Sequence, residues 1–207
     1  MSRLISIHPV DPQMRMISQV VAALRNGDVI VYPTDSGYAL GCTLDNKKAF
    51  ERVCRIRNVD KKHNFTLVCP GISEASKYVS VDNEQFRLIR GSTPGPYTFI
   101  LKALKSVPSR VMQEKKRTIG IRIPDSSICM AMLAELGEPI MSTTLILPGN
   151  AEAEHDPYEI RDALDYAVDF IVDGGYLTSQ PTTVIDMSED EYVLVREGAG
   201  DPSVILG

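Results

Sequence analysis

A chain of 207 residues with 43% hydrophobic and 24% charged residues is long enough for one sizeable core and has the composition of an ordinary globular protein, which excludes a disordered or fibrous chain. Its net charge of −5 excludes a surface that coats a polyanion by bulk attraction, so a nucleotide or nucleic acid must be met by a local basic patch. The cysteines Cys42, Cys54, Cys69 and Cys129 form no C-x-x-C pair and have no His at ligand spacing, so they read as reduced cytosolic thiols rather than disulfides or a zinc site.

An N-terminus without a signal-peptide apolar core, and no apolar run of roughly eighteen residues anywhere, predict a cytoplasmic protein that does not span a membrane. Asp11 as N-cap, Pro12 at the first helical position, an apolar stripe of Met16, Ile17, Val20, Val21 and Leu24, and Gly27 as a stop predict a first helix packed on a sheet. An apolar strand over 28–32 then runs into VYPTDSGYALG at 31–41. Pro33 fixes φ and is expected to end the strand, Gly37 and Gly41 permit positive φ or close backbone approach, and Thr34, Asp35, Ser36 and Tyr38 supply donors and acceptors. Such a segment is either an active-site loop or a tight strand connection whose polar groups cap its own turn.

An amphipathic run over 47–56 places Arg55 and Arg57 near a helix C-terminus, where capping of the helix dipole competes with phosphate binding. Arg52, Arg55, Arg57, Lys61 and Lys62 form one basic segment and Lys115, Lys116 and Arg117 another; each is a candidate anion patch or a solvated face. His63, in a polar loop, reads as solvent-facing. A strand over 65–69, helices over 72–79 and 83–90, and strands over 97–101 and 118–123 follow. In the last of these, Arg122 shares a face with Thr118 and Gly120, opposite the isoleucines, so that face is a pocket wall or an exposed sheet face. A helix over 126–136, a strand over 140–147, a helix entered through Asp156-Pro157, and strands over 170–172, 183–185 and 192–195 complete the chain. Strands and helices alternate too irregularly for a plain doubly wound sheet, which predicts an α/β single domain over 1–207 with a mixed sheet.

P-loop, dinucleotide, nucleophile-elbow and H-E-x-x-H motifs are all missing, and His8, His63 and His155 are the only histidines. What remains is rich in hydroxyls and arginines: Thr34, Ser36, Tyr38, Arg55, Arg57, Thr98, Arg122, Ser142, Thr144, Thr182 and Arg196. Guanidinium forks match phosphate and carboxylate oxygens in pairs, and hydroxyls serve a ribose, a carboxylate or a magnesium shell. Such a set suits adenylyl transfer, which needs charge neutralisation and alignment rather than a protein nucleophile.

The 31–41 segment with Arg55-x-Arg57, then PGPYTFIL at 94–101, GIRIPD at 120–125, PTTVID at 181–186 and VLVREG at 193–198, resemble in their order the blocks of the YrdC/YciO family. The wording of 32–38 and the Arg-x-Arg pair resemble its YciO branch. The resemblance implies a YrdC-like fold, a twisted open α/β sheet around a concave basic cleft. It also implies an enzyme that takes L-threonine, bicarbonate and ATP with Mg2+ to threonylcarbamoyl-AMP and pyrophosphate, linked to threonylcarbamoyladenosine modification of tRNA. Carried over, Thr34, Ser142 and Thr182 face the amino acid with Arg122 on its carboxylate, while Arg55, Arg57, Thr98, Thr144 and Arg196 hold the nucleotide and its phosphates. No catalytic side chain, protein metal site or tightly bound cofactor is carried over. The synthase branch has Lys where this chain has Arg55 and Asn where it has Ile146; the first change keeps the charge with a different geometry, and the second removes a polar group. A double-stranded RNA or tRNA-binding module of the same fold without synthase activity stays open as an alternative. So does a carbamoyl-adenylate activity on another acceptor, since similar domains occur in hydrogenase-maturation proteins.

Overall fold

The computed structural model describes residues 1–60, 63–178 and 180–207; Lys61 and Lys62 of the first basic segment lie outside the described residues. β1 (Arg3–Ser6) leads into α1 (Met14–Asn26), and a hairpin of β2 (Ile30–Thr34) and β3 (Gly37–Thr43) precedes α2 (Lys47–Arg57). Next come β4 (Thr66–Val68), the short α3 (Ile72–Ala75), α4 (Asn83–Ser92), β5 (Tyr97–Lys102) and β6 (Thr118–Arg122). The chain ends with α5 (Ser127–Leu136), β7 (Ile140–Thr144), α6 (Pro157–Leu164), β8 (Phe170–Asp173), β9 (Thr183–Asp186), β10 (Val193–Arg196) and α7 (Ser203–Leu206). The strands form one mixed sheet in the order β1-β8-β2-β3-β7-β4-β6-β5-β9-β10. No helix among the described residues is long and apolar enough to cross a membrane.

Local chemistry accounts for most element ends. Ser126 and Asp156 cap α5 and α6 with their side chains, Pro157 takes the first turn of α6, and Asp82 closes a capping box with Gln85 at the start of α4. Gly27 ends α1 at φ 90°, where the Asn46 side chain occupies the space a Cβ would need. The start of α1 departs from expectation: Gln13, not Asp11, is its N-cap, and Pro12 precedes the helix. His8 takes over the preceding turn, its Nδ1 accepting from the Asp11 amide at 3.0 Å while its own amide donates to Gln13 Oε1 at 3.1 Å.

Pro33 does not end β2, which continues to Thr34, with Pro33 opposite Tyr38 and Thr34 opposite Gly37. The other neighbour, β8, pairs with β2 only at Ile30 and Val31, so Pro33 stands where β2 needs no second set of donors. The expected helix over 72–79 stops at Ala75, and Val79 bridges to Ala103 instead. The expected strand over 140–147 stops at Thr144, after which the Leu145 amide turns to the Tyr38 carbonyl at 2.9 Å.

Alternation along the strands splits the sheet into two faces. Val31, Leu40, Leu67, Phe99, Ile121 and Met141 point into the larger core, beneath α2, α3, α4, α6 and α7. Ile30, Tyr32, Ala39, Val68, Ile140 and Val172 point to the opposite face, under α1 and α5. Ile121 is fully buried in the larger core, so Ile121→Ala should lower unfolding stability by roughly 2–5 kcal/mol through lost transfer energy and a cavity. Urea denaturation measures this, and a midpoint equal to the parent's would contradict the packing described.

Candidate functional site

The face covered by α1 and α5 is covered on only part of its width. Both helices pack on the β8-β2-β3 side, and over β7, β4, β6, β5 and β9 the same face forms the floor of a cavity of about 470 Å³. Period-two alternation selects the floor residues: Thr66, Thr98, Ile100, Gly120, Arg122, Ser142, Thr144 and Val184 line the cavity, while Phe99, Leu101, Ile119, Ile121, Met141 and Ile185 are buried behind it. Gly120 keeps the floor open, since a Cβ there would lie 2.5 Å from Thr66 Cγ2 and 3.2 Å from the Phe65 carbonyl oxygen. An adjoining space of about 360 Å³ shares Thr144, Ile146, Thr182 and Arg196 and adds Ser36 and Glu152.

Arg122 closes one end of the floor. Its side chain is 8% exposed, and it forms an ion pair with Asp35, whose side chain is 13% exposed. Nη1 donates to Thr34 Oγ1 at 3.2 Å, Nη2 donates to the Asp35 carboxylate, and Nε is buried without a protein partner. Burial pushes the Asp35 carboxyl above its ordinary range, with Arg122 and the amide of Asp125 pulling the other way. Thr34 does not line either cavity. Its hydroxyl donates to the Gly37 carbonyl at 2.7 Å and accepts from the Ser36 amide and Arg122, so it stands behind the guanidinium it orients.

A second guanidinium, Arg57, reaches the wall from the last turn of α2, donates from Nη1 to the Ile146 carbonyl, and leaves a buried Nε without a protein partner. Arg196, on β10, holds the Thr182 carbonyl through Nε and Nη2 at 3.1 and 2.8 Å, and its Nη2 also meets Thr182 Oγ1 at 3.1 Å. Thr182 Oγ1 lies 2.8 Å from Thr98 Oγ1, so residues expected on an amino acid and on a nucleotide form one hydrogen-bonded cluster. Burial and the charge of Arg122 both lower the Arg196 pKa. Ser142 accepts from Tyr32 Oη at 2.7 Å and donates to the Leu40 carbonyl at 3.2 Å. Burial holds the Tyr32 phenol well above its ordinary pKa and so keeps it a donor.

The structure thus brings Arg57, Thr98, Arg122, Ser142, Thr144, Thr182 and Arg196 to one cavity. Arg55 is not among them: it is exposed on the last turn of α2 and lines neither space, where a cation complements the helix dipole. Lys116 of the second basic segment pairs with Asp186 at 3.2 Å, away from the cavity wall. Sequence reasoning missed His63. Rather than facing solvent, it is half-buried on the wall, with Nε2 2.9 Å from Thr143 Oγ1 and its ring edge-on to Phe65 at a centroid distance of 4.9 Å. Burial, then the charge of Arg57, lower its pKa, with Asp60 opposing. Asp35 was visible in the motif, but nothing in its spacing marks it as the partner of a residue 87 positions away. Among the described residues no group of three or more His, Cys, Asp or Glu is arranged to hold a metal ion.

A family model named for Sua5, YciO and YrdC and described as telomere recombination matches residues 22–198. The uncharacterized protein YciO of Escherichia coli strain K12 is 56% identical over 206 residues, covering 100% of both chains, and the crystal structure of E. coli YciO aligns over 100% of both chains with a TM-score of 0.96. A threonylcarbamoyl-AMP synthase of Vibrio vulnificus is 29% identical over 186 residues, 88% of this chain and 98% of the other. A crystal structure of P. abyssi Sua5 complexed with L-threonine aligns with a TM-score of 0.88 at 20% identity, over 95% of this chain and 58% of that one, and it shares the fold.

The environment of His63 makes a direct prediction. In an NMR titration of the imidazole it should titrate below the ordinary histidine value of about 6.5, and Arg57→Gln should move it upward by removing a like charge. Since the folded value is depressed, its neutral form favours folding at higher pH, and that contribution is lost as pH falls from the ordinary value through the folded one. Titration at or above the ordinary value would contradict the burial and charge described.

Proposed function

The chain belongs to the Sua5/YciO/YrdC family, and from that premise we propose that it is an adenylyl-transferring enzyme of the threonylcarbamoyl-AMP synthase type, acting on L-threonine, bicarbonate and ATP. One observation carries the reading: three guanidinium groups, Arg57, Arg122 and Arg196, converge on a cavity whose lining, among the described residues, contains no carboxylate. Like charges gathered in a partly dry space repel one another, and anionic ligands offset that cost. The volume of about 470 Å³ falls within the roughly 300–1,000 Å³ of small-molecule sites and cannot admit a nucleic-acid duplex, which favours this reading over RNA binding.

In this reading Arg122, with an unpartnered Nε and its two other faces fixed by Thr34 and Asp35, takes the amino-acid carboxylate. Arg57 and Arg196 take phosphate oxygens, and the hydroxyls of Thr98, Thr144 and Thr182 lie between the two ligands. Mg2+ enters with ATP on the phosphates, as a hard cation served by oxygen ligands. The threonine amine and bicarbonate form a carbamate with loss of water. A carbamate oxygen then attacks the α-phosphorus, and the bond to the bridging oxygen breaks, with its electron pair leaving on pyrophosphate. The protein neutralises charge and aligns the attacking oxygen, and needs no nucleophile of its own. The relative named threonylcarbamoyl-AMP synthase and the Sua5 complex with L-threonine support this choice of substrate. Ile146 contributes an apolar wall to both spaces and offers its carbonyl to Arg57.

Pyrophosphate release from purified protein with Mg-ATP and bicarbonate, with and without L-threonine, tests the proposal. Release should depend on threonine and fall on the order of 100-fold in Arg57→Ala, the scale of removing one preorganised donor. A protein that binds ATP yet releases no pyrophosphate in response to threonine would refute it.

A further inference from the structure

Carbamate formation carries a proton balance that the arginines cannot meet. An amino acid enters as its ammonium form, and ammonium plus bicarbonate gives carbamate, one water and one proton. Some group must take that proton, because only the free amine has the lone pair that forms the new C–N bond. The titratable side chains lining the larger cavity are Arg57, Arg122, Arg196 and His63. Guanidinium groups stay protonated at neutral pH, so among the described residues His63 is the one lining group able to accept and release a proton there. Glu152 lines only the adjoining space, and Asp35 is engaged by Arg122 and by the amide of Asp125.

We infer that His63 is the proton acceptor that converts the ammonium group of the amino-acid substrate into the free amine before carbamate formation. The assignment rests on the adenylyl-transfer reading above. In the tautomer whose Nε2–H donates to Thr143 Oγ1, Nδ1 keeps its lone pair and is the nitrogen that can accept a proton. The proton then moves from the ammonium nitrogen to Nδ1 and on to solvent, while the amine nitrogen attacks the carbon of bicarbonate and water leaves. The groups facing the ring favour a neutral imidazole. Arg57, from α2, adds a like charge, the Phe65 ring and the Thr143 hydroxyl carry none, and Asp60 opposes. Burial acts in the same direction as Arg57.

The test uses the full chain, comparing the parent with His63→Gln, whose amide retains a donor for Thr143. In the forward direction, with Mg-ATP, bicarbonate and L-threonine at neutral pH, pyrophosphate release should fall about 100-fold or more, the range of general-base catalysis. The deficit should shrink with added imidazole and at alkaline pH, where free amine is abundant. In reverse, ATP formation from threonylcarbamoyl-AMP and pyrophosphate should fall far less than the forward rate, because the carbamate it yields departs before any proton is needed. Should His63→Gln fold poorly, the parent alone decides. Its forward rate should fall with acidification through the NMR-measured titration of His63, and its reverse rate should not. Equal forward rates, an equal loss in both directions, or a forward profile that ignores the His63 titration would overturn the assignment and leave the synthase reading standing. A parent that makes no pyrophosphate overturns both.

Discussion

A guanidinium whose side chain is 8% exposed has lost most of its hydration, and burial of such an ion costs several kcal/mol unless partners are supplied. Arg122 receives them from a turn 87 and 88 residues away, as Asp35 and Thr34. In the sheet, β6 is separated from β3 by β4 and β7, so the tip of the β2–β3 hairpin must lean across the strand ends to reach it. That docking fixes the direction of the guanidinium, removes two of its faces from competition, and leaves a buried Nε without a protein partner. The β2–β3 turn is therefore part of the wall's support, and its hydroxyl and carboxylate act by holding Arg122 rather than by lining the cavity.

The cavity itself follows from unequal cover. Two helices, α1 and α5, pack together over the β8-β2-β3 side of one face, and on the remaining strands most floor positions are small or hydroxyl-bearing, with Ile100 and Val184 as apolar exceptions. Larger apolar side chains at those positions would have filled the space, as they do on the opposite face, where Phe99, Leu101 and Ile121 pack under helices. With Arg57, Arg122 and Arg196 at its edges, the open half gathers three positive charges around one space. The same field bears on His63, which is held toward the neutral form by burial and by Arg57, against the opposing charge of Asp60.

Much of the site is legible in the sequence because strand periodicity is a local property. The alternation at 118–122 put Arg122 and Gly120 on one face, and that face is the cavity floor. The helix expected over 126–136 matches α5 almost to the residue, and Asp156-Pro157 marks the start of α6. Errors occurred where a distant element overrode a local preference. Pro33 has the chemistry of a strand breaker, yet β2 pairs with β8 only at Ile30 and Val31, so no donor is missed at Pro33. Asp11 lost the N-cap position of α1 because His8 and Gln13 organise the preceding turn. Arg55 and Arg57 differ by two positions, and the helix turns one outward and the other to the cavity, so composition alone could not separate them.

The sequence by itself determined the element types, the mixed α/β architecture and the family, since turn residues, caps, apolar periods and motif order are all written in short windows. Tertiary structure alone decided which polar groups face a common space and which serve only to orient others. Thr34 and Asp35 became supports for Arg122, and His63 moved from an expected loop surface to the cavity wall. Those outcomes depend on contacts across 80 or more residues, as between His63 and Thr143, and on burial, which shifts charge and proton affinity through neighbours that no local pattern specifies.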